Sequence, residues 1–176
     1  MTFDLKFVAP DLRDIDGASA EVIACAIWED QRPMLGLAGL LDWRLAGGLS
    51  ALAKGGFLTG ARGEVLMVPG RPRLPFEKVL LFGLGPHATF DDGVARGVLE
   101  HFISVLDGLR VKRAVIELPG RNDGTLDAAR AGELLMECAA DPLDREAWIF
   151  VEREEAERPI RKRVQQERHR RPRAGA

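Results

Sequence analysis

Two periodicities alternate along this chain. At the start, Phe3, Leu5 and Phe7 alternate with Asp4 and Lys6, the period-two pattern of a half-buried or edge strand, and Pro10 ends it. Residues 21–28 (EVIACAIW) are almost continuously apolar over a strand's length, as expected of a central strand covered on both faces. From Leu37 to Leu52 the apolar positions 37, 40, 41, 45, 49 and 52 recur at intervals of three and four, which predicts one amphipathic helix. Gly47-Gly48 inside it costs about 1 kcal/mol per glycine relative to alanine and predicts a kink or a close packing contact, and Gly55-Gly56 predicts its end.

The same reading continues to residue 152. Residues 64–68 and 78–84 predict two strands around a Pro/Gly/Arg turn. Thr89 or Asp91 caps a helix running to about Gly108, with an apolar face from Val94 to Leu109, and residues 113–118 (RAVIEL) predict a buried strand. A turn at 119–124, a helix at 125–140 and a strand at 147–152 complete the order β-β-α-β-β-α-β-α-β. Strands alternating with helices imply a three-layer α/β domain with a largely parallel sheet and right-handed crossovers.

Composition narrows the class. With 46% hydrophobic and 30% charged residues, and no run near the roughly 20 apolar residues of a membrane span, the chain reads as a cytoplasmic globular protein without membrane contact. The amino terminus carries no signal-peptide pattern. Cys25 and Cys138 lie far apart in apolar segments and the histidines at 87, 101 and 169 are scattered, so neither a disulfide framework nor a metal site is expected, and no cofactor. The net charge of −2 hides an asymmetry. Residues 158–176 hold eight Lys/Arg and one acid, whereas the remainder holds seventeen Lys/Arg and twenty-six acids. The expected organisation is therefore a domain at 1–152 and a charged, basic, flexible tail at 153–176, with a solvated helix around 152–163 supported by Glu/Arg pairs four apart and disorder over the last dozen residues.

The stretch 49–85, LSALAKGGFLTGARGEVLMVPGRPRLPFEKVLLFGLG, carries a family likeness. Phe57, Thr59-Gly60 and Gly63-Glu64 form its loop, and residues 78–85 its glycine-rich strand exit. In these positions, and in the layout of residues 3–140, the chain resembles the amino-terminal domain of the leucyl (cytosol) aminopeptidases. The resemblance implies a three-layer α/β/α macro-like domain with a mostly parallel mixed sheet. In that family the peptidase chemistry belongs to a separate carboxy-terminal domain, whose two metal ions are held by a Lys, several Asp and a Glu. No stretch of this sequence matches that signature, so the expectation is a non-catalytic domain acting through a protein partner or self-association, as an oligomerisation or regulatory module, with a separately encoded catalytic half as one such partner.

Two other functions are open to the residues. Gly83, Gly85 and His87 at the strand exit, with Gly120 and Asn122 in the next such loop, are the positions where ADP-ribose or another phosphate-containing ligand would meet backbone N–H groups. Residues 83–88 also satisfy GxGxxA, but the next strand ends some thirty residues later rather than about 20 and Pro86 removes a donor, so a dinucleotide is not expected. In the tail, Arg161, Lys162, Arg163, Arg168, Arg170 and Arg171, together with Arg173, supply charge for a partner or for weak, sequence-independent nucleic-acid binding, without interleaved aromatics for base stacking.

Overall fold

A computed structural model describes residues 5–139 and 147–170. Its centre is a six-stranded sheet built from β1 (Lys6–Val8), β2 (Val22–Ile27), β3 (Val65–Pro69), β4 (Lys78–Gly83), β5 (Arg113–Ile116) and β6 (Ala147–Val151), in the order β1-β6-β5-β2-β4-β3. Every neighbouring pair is parallel except β3 and β4, which form the antiparallel edge.

The near-continuous apolar runs follow from burial on two faces. In β2, Val22, Ala24 and Ala26 belong to one hydrophobic cluster while Ile23, Cys25 and Ile27 belong to the other. In β4, Leu80 and Phe82 divide from Val79 and Leu81 in the same way. Successive side chains point to opposite faces, so a strand with helices on both sides needs an apolar residue at every position. One face is covered by α4 (Asp92–Gly108), α5 (Ala128–Cys138) and α6 (Glu154–Arg170), and the other by α1 (Leu12–Asp16), α2 (Gly36–Arg44) and α3 (Gly48–Lys54). The expected three-layer α/β/α architecture with a mostly parallel mixed sheet is the one observed.

Three expectations need correction. The single helix over 37–52 is two, α2 and α3, because Ala46 (φ 56°) and Gly47 (φ 79°) both take the left-handed conformation. Asp42 of α2 then receives the Ser50 N–H at 2.9 Å and the Ser50 hydroxyl at 2.5 Å, satisfying a first-turn donor of α3 that a continuous helix would have used internally. The short helix α1, with Asp11 capping Asp14 N–H, has no apolar stripe long enough to be read from sequence. The largest correction concerns residues 153–170. They do not leave the fold there, since α6 runs to Arg170 and buries Ala156, Ile160 and Val164 in the core. Of the remaining expectations, residues 3 and 4 of the first strand, residue 140 of the helix expected at 125–140 and residues 171–176 of the tail lie outside the described residues.

Candidate strand-end site

Because β2, β4, β5 and β6 are parallel, their carboxyl ends share one edge of the sheet, where Trp28, residues 84–87, residues 117–127 and Glu152 meet. The loop at 57–64 crosses this edge and is closed by its own acid: the Glu64 carboxylate accepts the N–H groups of Thr59 and Gly60 and the Thr59 hydroxyl. Arg32 joins it to the β2 exit by donating to Thr59 O (2.9 Å) and Trp28 O (2.7 Å). Where Gly60 and Ala61 pass over the end of β4, the space for a Cβ on Gly83 is already filled: it would lie 1.8 Å from Ala61 O.

Following the N–H groups of the glycine-rich exit decides what it can offer a ligand. Gly83 N–H donates to Glu64 O, Leu84 N–H to Ile27 O and Gly85 N–H to Gly60 O, each at 2.9 Å. Pro86 has no N–H, and that of His87 donates to the Asp30 carboxylate at 3.0 Å. An anion at residues 83–87 would therefore have to displace bonds that hold the loops together. Gly83 and Gly85 lie side by side with the 57–64 loop, as turn and crossing residues.

His87 links this exit to the second predicted loop. Its Nδ1 lies 2.7 Å from Asp30 Oδ1, its Nε2 lies 3.0 Å from Asp123 Oδ2, and its ring stacks on Trp28 with centroids 3.7 Å apart. Phe90 meets the same indole edge-on, and Gly120 (φ 72°) lies against Phe90, where a Cβ would come within 2.8 Å of the ring. Of the predicted residues, His87 forms this clamp and Gly120 lies behind it against Phe90, while Gly83 and Gly85 belong to the crossing with the 57–64 loop. Asn122 turns away from the clamp and packs its Cβ on Gly36 at the start of α2. Asp30 and Asp123 had no visible link to His87 in sequence, since the three belong to three different loops.

The clamp is pH-dependent. Burial alone would lower the pKa of His87, but hydrogen bonds and charge from Asp30 and Asp123 overcome it and raise the value above the ordinary 6.5. The hydrogen bond with His87 is the main cause holding Asp30 below 3.8. For Asp123, burial acts upward and is overcome by hydrogen bonds from Thr125 and His87, so it too falls below 3.8. The His87 contribution is fully present below pH 6.5 and is lost as pH rises through its raised value, while the carboxylate contributions are lost as pH falls through the depressed Asp values. NMR titration of the His87 ring is expected to give a midpoint above 6.5, displaced downward in Asp123→Asn; a midpoint of 6.5 or lower would contradict the clamp.

A second feature of this edge was missed by sequence reasoning. Glu117, at the exit of β5, is 5% exposed and accepts the Leu37 N–H at 3.1 Å. Glu152, 6% exposed at the exit of β6, holds Arg121 through two bonds of 2.8 and 3.0 Å. The signal was present in RAVIEL and AWIFVE, where an acid ends an otherwise apolar buried run.

The basic residues of α6 are partly spent within the fold. Arg161 lies 4.7 Å over the Phe7 ring and pairs with Glu157, Arg163 pairs with Glu133, and Arg170 pairs with Glu167. Lys162 and Arg168 are exposed, and Arg171 lies outside the described residues. Among the described residues no three His, Cys, Asp or Glu side chains are placed to hold a metal ion, and no helix is long and apolar enough to cross a membrane.

The sheet order, the helices on both faces and the loops gathered at the strand ends define a macro-type α/β/α domain. One solved structure of the Oceanobacillus iheyensis macrodomain, a mutant, superposes with TM-score 0.70 over 93% of this chain and 92% of that one at 10% identity. A mutant of tomato leucine aminopeptidase superposes with TM-score 0.60 over 92% of this chain and 36% of that one at 15% identity. Sequence comparison is more specific, for the profile of the cytosol aminopeptidase family, N-terminal domain, matches residues 16–143. The chain belongs to that family. The cytosol aminopeptidase of Pseudomonas aeruginosa (strain PAO1) is 30% identical over 143 residues, which are 81% of this chain and 28% of the relative. A probable cytosol aminopeptidase of Pseudomonas fluorescens (strain SBW25) is 34% identical over 119 residues, 67% of this chain and 23% of that relative. The chain thus spans about a quarter of the length of the curated relatives it matches.

Proposed function

We propose that this domain is a non-catalytic interaction module of the cytosol aminopeptidase type, working in the cytosol through contact with a catalytic domain of that family or with its own copies. The observation that carries this reading is the exposure of two large apolar side chains, Trp43 of α2 at 73% and Phe57 just beyond α3 at 72%. Leu35, just ahead of α2, adds a third at 53%. Exposed aromatics of this size are enriched where one protein buries them against another, and they supply most of the binding energy there. The family membership supports the choice of partner, since in the relatives this domain accompanies about three quarters of a chain it does not itself supply. The ADP-ribose or phosphate reading has less support, because the N–H groups at 83–87 are committed within the chain.

Size-exclusion chromatography with light scattering, and capture by an immobilised cytosol aminopeptidase catalytic domain, test the proposal. The expected result is a mass above one chain or retention on the column, with a Trp43→Ser/Phe57→Ser variant weakened at least about tenfold. Its melting temperature should stay that of the unsubstituted chain, since neither side chain is in the core. A strictly monomeric protein that is not retained would overturn the reading.

A further inference from the structure

Glu117 takes no part in the His87 clamp or in the exposed α2–α3 face, yet it is among the most deeply buried charged side chains described. It lines a cavity of about 240 Å³ at the carboxyl ends of β5 and β6, with Arg121, Glu152 and Arg153 as the other ionisable groups and Leu40 and Val151 as apolar walls. The volume is below the roughly 300–1,000 Å³ of sites for drug-sized ligands, so its occupant is a molecule of small-amine or amino-acid size.

The two acids and two arginines around the cavity balance in number but not in pairing. All of Arg121 is committed: Nε and Nη2 donate to Glu152, and Nη1 donates to Leu126 O at 2.5 Å. That leaves Glu117 with the Leu37 N–H, at the first turn of α2, and with no ion pair among the described residues. Burial therefore pushes its carboxyl up to about 8, the Leu37 bond and Arg121 pull it back, and the negative charges of Glu152 and Asp123 add to the rise. From β2, the Cys25 thiol faces it as well, raised by its own burial and then by Glu117. Burial thus favours the protonated carboxyl at neutral pH, and Arg121, already bonded to Glu152, offsets this only in part.

We propose that this cavity binds a small primary ammonium compound, its ammonium group held by Glu117 and its apolar part lying against Leu40 and Val151. The bound cation supplies the missing countercharge, so binding at pH 7 expels the Glu117 proton to solvent. Arg153 stands exposed among the lining residues, placed to receive a carboxylate if the ligand carries one.

Calorimetric titration of the full chain at pH 7, in phosphate and in MOPS, neither of which carries a primary amine, decides this with three probes: 3-methylbutan-1-amine, L-leucine and 4-methylpentanoate. The amine or leucine should bind with buffer-dependent heats that report release of close to one proton, and the carboxylate-only probe should give no heat. Whichever of the first two binds more tightly tells a plain amine from a zwitterion. Glu117→Gln keeps an acceptor for Leu37 N–H and cannot ionise, so it should retain the fold and lose at least about tenfold in affinity. Binding equal to that of the unsubstituted chain, or no heat from either ammonium compound up to about 10 mM, would assign Glu117 to fastening α2 alone and end the proposal. Should the variant fail to fold, proton release by the unsubstituted chain decides by itself.

Discussion

Replacing Gly83 by alanine is expected to cost about 3 kcal/mol or more, a large share of the stability of a domain of this size. The reason is space, not backbone conformation, because Gly83 does not have a positive φ. A Cβ built there lies 1.8 Å from Ala61 O and 2.7 Å from Gly60 C, both backbone atoms. A side chain in that position could rotate away, but the 57–64 loop cannot. It is held to β4 by Gly83 N–H to Glu64 O and Gly85 N–H to Gly60 O, and to the β2 exit by Arg32. The new methyl must break these bonds or push the strand end out of the sheet. Gly97→Ala supplies the control, since nothing lies within 4 Å of where its Cβ would stand on α4 and the change should be neutral or stabilise by up to about 1 kcal/mol. Urea denaturation of the two variants checks both, and a Gly83→Ala midpoint close to that of the unsubstituted chain would show that the crossing is not tight.

This changes the meaning of the glycines that stand out in the sequence. GLGP invites comparison with phosphate loops because both need backbone without side chains, and sequence cannot tell whether a ligand or another stretch of the same chain fills the space. Here the occupant is Gly60-Ala61, from the loop that carries the family likeness. The sheet was legible because each buried strand is a short, dense apolar run, and the helix α4 because Asp91 and the stripe from Val94 to Leu106 coincide. The break between α2 and α3 was half legible: Gly47-Gly48 announced a fault, but not that Ala46 would also turn left-handed or that Asp42 would cap the second helix. The clamp of Asp30, His87 and Asp123 was illegible, because its geometry depends on the parallel arrangement that brings three loop ends together.

The charged carboxyl-terminal segment was the clearest misreading, and it yields the second large effect. Ile160→Ala is expected to destabilise by about 2–5 kcal/mol, the range for removing most of a fully buried aliphatic side chain. Ile160 is 0% exposed and Val164 2%, in one cluster with Leu134, Leu135 and Trp148. The contact is close enough that Gly132 of α5 has Ile160 O only 3.2 Å from where its Cβ would be. Composition concealed this, because three apolar residues four apart, Ala156, Ile160 and Val164, suffice to seat a helix whose other faces are almost wholly charged. Deleting residues 158–176 would thus remove core and charge together, and loss of nucleic-acid retention in such a truncation would say nothing about charge. Lys162→Ser with Arg168→Ser removes exposed charge while keeping Ile160 and Val164, and should leave thermal stability within about 0.5 kcal/mol per site. If Ile160→Ala melts with the unsubstituted chain while the double variant does not, the packed helix is wrong; the reverse order establishes α6 as part of the domain and makes the double variant the proper test of whether its charge binds nucleic acid.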